Sequence, residues 1–135
     1  MLYYKSVYKR HGFFWNIELK QFVQEYGGKK IEYKHPKSGL ILYANFCFPE
    51  IIRGTEIPGR NFDYYVSAAK YLGEDVVLVG NCAQDQIELL LTETGKFIGF
   101  DEYTLIRWGT DDFGWRSGVR NLLNGVAATE IGTIK

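Results

Sequence analysis

The chain has 135 residues, the length of one domain, and hydrophobic residues make up 46% of it. Its 16 basic and 16 acidic residues give a formal net charge of zero, which excludes a uniformly basic nucleic-acid-binding domain. Aromatic residues make up 16%, which excludes a disordered chain and predicts one packed globular domain over residues 1–135.

The first half of the chain predicts a helix, a hairpin and a second helix. Helical spacing and an Asn16 N-cap predict a helix over residues 16–26, ended by Gly27 and Gly28. Alternation over 29–34 and an apolar run over 40–48 predict a β-hairpin, since Pro and Gly lie between them. A long connection over 49–60 and a helix over 61–72 are expected to follow. Residues 5–14 favour no single structure.

Short apolar runs fill the second half and predict strands over 75–82, 86–92, 96–100 and 103–108. Connections this short require antiparallel pairing. A closing helix is predicted over 112–123, capped by Thr110, Asp111 or Asp112, with Trp115 facing the core. The expected fold is a single α+β domain, a mainly antiparallel sheet (hairpin plus meander) packed with about three helices.

The beginning of the chain and its cysteines bear on location and metal binding. Residues 1–5 lack a basic region followed by an apolar core, and no apolar stretch approaches the ~18 residues that cross a membrane. We therefore expect a cytoplasmic protein with no membrane partner. Cys47 and Cys82 form no CxxC pair, so we expect buried thiols and no metal.

Catalytic motifs are absent from the sequence: there is no Gly-rich phosphate loop, no G-x-S-x-G and no His-x-x-x-His. A Cys–His pair formed in space stays open. The acid pairs Asp101-Glu102 and Asp111-Asp112 suit a hydrolase or a divalent metal, but acids also belong at turns and helix starts. We expect no enzyme and no cofactor.

The charges are unevenly distributed along the chain. Residues 1–34 hold seven basic and three acidic residues, a net +4, whereas residues 85–112 hold two basic and seven acidic residues, a net −5. These stretches either pair or are solvated, or the second forms an acidic face that attracts a basic partner. The candidate partner contacts are Asp85, Glu88, Asp101, Glu102, Asp111 and Asp112, with Trp108 as an aromatic anchor.

Two stretches carry a family resemblance. Residues 22–28 read as a helix ending in Gly-Gly before a hairpin. Residues 62–125 hold a series of short motifs in a fixed order: Ala68-Ala69, Leu72-Gly73, Val79-Gly80, Ile87–Leu91, Glu93-Thr94-Gly95 and Leu122–Gly125. Together they resemble the SUKH superfamily of bacterial immunity proteins, most closely its third branch.

The resemblance implies a cytosolic protein without catalytic residues that binds and neutralises a cognate bacterial toxin domain, often a nuclease. Nucleases need basic surfaces for their polyanionic substrate, so a local acidic patch is the expected contact. The implied partner is the toxin protein and not nucleic acid. The alternative function is a cytosolic interaction or scaffold module of the same fold without a toxin. Neither hypothesis sets the oligomeric state.

Overall fold

Seven antiparallel strands and four helices build the domain in the computed structural model, which describes residues 2–46, 63–83, 86–110 and 112–134. The strands are β1 (Lys30–Lys34), β2 (Ile41–Asn45), β3 (Val76–Cys82), β4 (Ile87–Thr92), β5 (Phe97–Asp101), β6 (Thr104–Trp108) and β7 (Ala128–Thr133). The helices are α1 (Leu2–Arg10), α2 (Ile17–Tyr26), α3 (Asp63–Leu72) and α4 (Trp115–Leu123). The predicted α+β class is confirmed.

The strands lie side by side in the same order as in the chain, from β1 to β7. Asn45 of β2 pairs with Asn81 of β3, and this pairing joins the predicted hairpin to the predicted meander in one sheet. Strand alternation then gives the sheet two faces. The front face carries Leu89, Leu91, Phe97, Gly99 and Trp108, and the back face carries Leu78, Leu90, Ile98, Phe100 and Leu105.

Helices cover both faces, which is why most residues of the central strands β3, β4 and β5 are buried. On the front face, the rings of Phe22 in α2 and Phe97 in β5 stack with their centroids 6.2 Å apart, and α4 packs beside them. On the back face, the Tyr8 hydroxyl of α1 donates a 3.1 Å hydrogen bond to the Leu78 carbonyl oxygen. The Tyr71 hydroxyl of α3 donates a 3.2 Å hydrogen bond to the carbonyl oxygen of Ile131 in β7.

Glycines allow α4 and Trp108 to approach the sheet closely. A Cβ at Gly118 of α4 would lie 2.9 Å from the Cβ of Phe97. A Cβ at Gly99 would lie 2.6 Å from the Cη2 atom of Trp108, so only glycine leaves room for that ring. The front face therefore accepts a large aromatic side chain directly over β5.

The local signals at α2 are confirmed. The Asn16 side-chain oxygen accepts a 3.0 Å hydrogen bond from the Leu19 amide, as an N-cap does. Gly28 has a φ of +78°, the left-handed conformation that ends a helix.

No helix within the described ranges is long and apolar enough to cross a membrane.

Other boundaries differ from the prediction. Helix α1 occupies part of the stretch that favoured no structure, and strand β7 was not predicted. Helix α4 begins at Trp115 with Gly114 as its N-cap, so the predicted start at residue 112 is wrong. Asp112 instead accepts a 2.8 Å hydrogen bond from the Gly114 amide, which shapes the turn before the helix. The predicted connection over 49–60 and the start of the helix at 61 lie outside the described residues.

Candidate binding site

The described acids of the −5 stretch do not share one face. Glu88 pairs with Phe100 on the back face, so Asp101, the next residue along β5, points to the front. Glu102 follows in the β5–β6 turn, and Asp112 lies at the far end of β5, where the Phe113 carbonyl oxygen accepts a hydrogen bond from the Phe97 amide. Asp85 and Asp111 lie outside the described residues. Of the described candidate acids, the structure brings together Asp101 and Glu102.

Trp108 is a core residue and not a projecting anchor. It is 5% exposed, and its ring centroid lies 5.5 Å from that of Phe97. Alternation along β6 turns its side chain to the front face, under α4. The core position predicted for Trp115 is confirmed, since it is 1% exposed.

A cavity of about 380 Å³ lies on the front face between the β1–β2 hairpin and the C-terminal end of α4. Gly125 follows α4 and lies close to the end of β1. A Cβ atom added to Gly125 would be 3.1 Å from the Lys34 carbonyl oxygen. The hairpin and the helix end therefore meet beside the cavity. Its main walls are formed by Tyr33, His35, Leu42, Asp101, Trp108 and Leu122. No lysine or arginine of the described chain lines it.

Tyr33 and Cys82 form a hydrogen-bonded pair beside the cavity. Burial outweighs the hydrogen bond with Tyr33 and, together with the charge of Asp101, raises the pKa of the Cys82 thiol to about 12. Burial likewise raises the pKa of the Tyr33 hydroxyl. Both groups are therefore protonated at neutral pH, and a protonated buried thiol is a poor nucleophile.

Asp101 is the carboxylate of this cavity. Its side chain is half-buried, and within the described ranges it accepts no hydrogen bond and forms no ion pair. His35 lies on the opposite, hairpin side, where its Nδ1 accepts 3.2 Å hydrogen bonds from the amides of Lys37 and Ser38. Asp101 is the one Asp, Glu, Lys or Arg residue on the described cavity wall.

The backbone around the cavity is strained. Three non-glycine residues of the described chain have positive φ angles: Ala83 at 53°, Glu102 at 45° and Tyr103 at 69°. Ala83 lines the cavity, and Glu102 and Tyr103 form the two-residue turn that follows Asp101. A hairpin turn with two positive φ angles normally contains Asn-Gly. Strain of this kind is concentrated at functional sites, where other interactions hold it in place.

The described residues form neither a metal site nor a facing pair of acids. Among them, no group of three or more His, Cys, Asp or Glu side chains is placed to hold a metal ion. Asp101 and Asp112 lie at opposite ends of β5, so these two carboxylates do not face each other as acid and base. The sequence missed Tyr33, His35 and Ala83 as site residues. One sequence signal was available: residues 101–104, Asp-Glu-Tyr-Thr, form a short connection between two predicted strands and contain no glycine.

Comparisons of the chain with models of protein families, with curated proteins and with solved structures give no match.

Proposed function

We propose that the chain is a cytosolic immunity protein that binds and neutralises a cognate bacterial toxin domain, one that acts on nucleic acid. The resemblance of residues 22–28 and 62–125 to the SUKH superfamily is the reason for this class of function. The proposal places the protein in the cytosol, where such a toxin finds its substrate.

One structural observation carries the proposal: the cavity opens among exposed apolar side chains. Leu40 is 64% exposed and Val126 is 38% exposed, and both line the cavity. We call these two residues the apolar rim. Exposed apolar groups around a partly buried polar pocket are typical of a protein-binding surface.

The charge at the opening favours a basic partner. Asp101 and Glu102 lie side by side at the end of β5, and the nuclease class of toxin carries a basic surface for its polyanionic substrate. Complementary charge speeds association and disfavours partners of the wrong sign. The acids that matter in this proposal are therefore these two residues and not the whole −5 stretch.

Co-expression tests the proposal. The C-terminal domain encoded by the neighbouring gene is expressed in the bacterial cytosol with and without this chain, and a non-cognate toxin domain is the matched control. We expect the chain to restore growth against the cognate domain and to give no protection against the control. Growth arrest that persists while the chain accumulates in soluble form would contradict the proposal and favour the scaffold alternative.

A further inference from the structure

We propose that the cavity receives the cationic end of one arginine or lysine side chain of the toxin domain and that Asp101 is its carboxylate partner. The inference rests on the proposed function, and it specifies which group of the partner enters this site.

The described cavity wall carries one carboxylate, that of Asp101, and no lysine or arginine. Asp101 is half-buried and has no hydrogen-bond or ion-pair partner in the described chain, and no described lysine or arginine lines the same wall. A carboxylate partly removed from water is stabilised when an opposite charge with N–H donors reaches it. A guanidinium or ammonium group is the ligand that supplies both.

The shape and chemistry of the cavity walls suit a long basic side chain. At about 380 Å³, the cavity lies at the small end of ligand sites and suits one extended side chain. Trp108 and Tyr33 offer aromatic surface, and Leu42 and Leu122 offer aliphatic surface. Long basic side chains place their methylene stems along such surfaces, and their cations favour aromatic rings.

The apolar rim identifies the source of the cation as a protein. A free amine entering the cavity would leave Leu40 and Val126 exposed to water, whereas a side chain brings a protein surface that covers them. Buried contacts ringed by groups that exclude water are the usual form of a binding hot spot. Asp101 lines the same cavity as both rim residues.

Binding to the cognate toxin domain gives the main test. Asp101→Asn keeps the shape of the side chain and removes its charge, and Glu102→Gln removes the neighbouring charge outside the cavity. We expect Asp101→Asn to weaken binding by about tenfold or more, as loss of a charged hydrogen bond does. Glu102→Gln should also weaken binding, but by only about two- to threefold, because Glu102 is exposed and its charge is screened by water. Thermal unfolding of both variants confirms that each is folded.

A second pair of variants tests the same site without altering Asp101. Val126→Lys places a cation of the chain's own at the cavity wall, and Val126→Met is the uncharged control of similar length. We expect the lysine to compete with the toxin side chain and weaken binding more than the methionine does. Equal affinities for Val126→Lys and Val126→Met, or an unchanged affinity for Asp101→Asn, would overturn the inference.

A small probe separates the sources of the cation. N-acetyl-arginine methylamide and its neutral citrulline counterpart are titrated into the isotope-labelled chain, and amide and indole resonances are followed by NMR. We expect the arginine probe to shift the signals of Ala83, Asp101 and Trp108 more than the citrulline probe does, and to bind far more weakly than the toxin domain. A free probe that binds as tightly as the toxin domain would overturn the assignment to a protein side chain.

The two proposals fail differently. If the wild-type chain neither binds nor neutralises the cognate domain, the proposed function fails. If the wild-type chain neutralises the toxin and Asp101→Asn does so equally well, the function stands and the inference about the cavity is overturned.

Discussion

The indole Nε1 of Trp115 donates a 3.2 Å hydrogen bond to the Glu18 carboxylate, 97 residues away in the chain. This bond ties the first turn of α2 to the first residue of α4. The Trp115 amide also donates a 2.8 Å hydrogen bond to the Gly95 carbonyl oxygen, and a Cβ at Gly95 would lie 2.5 Å from Glu18. Both front-face helices are therefore fixed at the β4–β5 turn.

Removing the Glu18 carboxylate tests this connection. We expect Glu18→Ala to lower the free energy of unfolding by about 1–2 kcal/mol, because it leaves the donor of a buried indole without its acceptor. Glu18→Gln retains an acceptor and should cost clearly less. Urea unfolding at neutral pH measures both, and equal losses for the two variants would show that the hydrogen bond is unimportant.

The lowered pKa of Glu74 predicts that the protein loses stability in acid. Burial raises the pKa of this carboxyl, but hydrogen bonds from Thr94, Thr92 and Lys96 outweigh burial and hold it below its ordinary 4.5. The Thr94 amide and hydroxyl donate at 2.9 and 2.8 Å to the same oxygen. A lowered folded-state pKa gives stability that is complete above pH 4.5 and lost as pH falls through the folded-state value.

We therefore expect Glu74→Gln to be less stable than the wild type at neutral pH by about 1–2 kcal/mol. The difference should shrink as the pH falls below 4.5. Lys96→Met, which removes the 3.2 Å ion pair, should cost less because Lys96 is 39% exposed and the pair is screened by water. Urea unfolding across this pH range gives the result, and a constant difference at all pH values would contradict the interpretation.

Glu88 predicts the opposite pH dependence. Burial raises its pKa, and its Oε2 atom is buried without a hydrogen-bond partner among the described residues. A raised folded-state pKa means that stability falls as pH rises from the ordinary 4.5 through the folded-state value. Glu88→Gln should therefore be more stable than the wild type at neutral pH, by about 1 kcal/mol, and lose this advantage in acid. A variant less stable than the wild type at pH 7 would show that Glu88 has a partner.

The turn after Asp101 predicts a gain of stability. Glu102 has a φ of 45°, which asparagine tolerates better than glutamate. Glu102→Asn should raise the free energy of unfolding by about 0.5–1 kcal/mol relative to Glu102→Ala, which removes the same charge but keeps the unfavourable backbone. Thermal unfolding compares the two variants. Identical midpoints would mean that the turn carries no strain at this residue.

The sequence predicted the central elements because their signals are local. The run Val76–Val79 predicts a strand buried on both faces, and all four residues are buried. Strand β7 gives no such signal because four of its six residues are exposed, and its structure comes from pairing with β6. Helix α1 was missed because few of its residues are buried. Among its described side chains these are Val7 and Tyr8, and two residues do not form an apolar stripe at helical spacing.

The candidate site was less predictable because it depends on strand register. A net charge counted along residues 85–112 cannot show that Glu88 and Asp101 face opposite sides of the sheet. A register shift of one residue would reverse that assignment, and sequence alone does not give the register. Tyr33 and Ala83 reach the cavity because β1 to β5 lie in chain order, which is a property of the whole sheet.

We propose that this chain neutralises a toxin domain by binding it. The most direct measurement is a titration of the purified chain into the purified cognate domain while the domain's nuclease activity is recorded. We expect the activity to fall linearly and to be abolished at one chain per domain. Activity that is unchanged when the folded chain is present in large excess would contradict it.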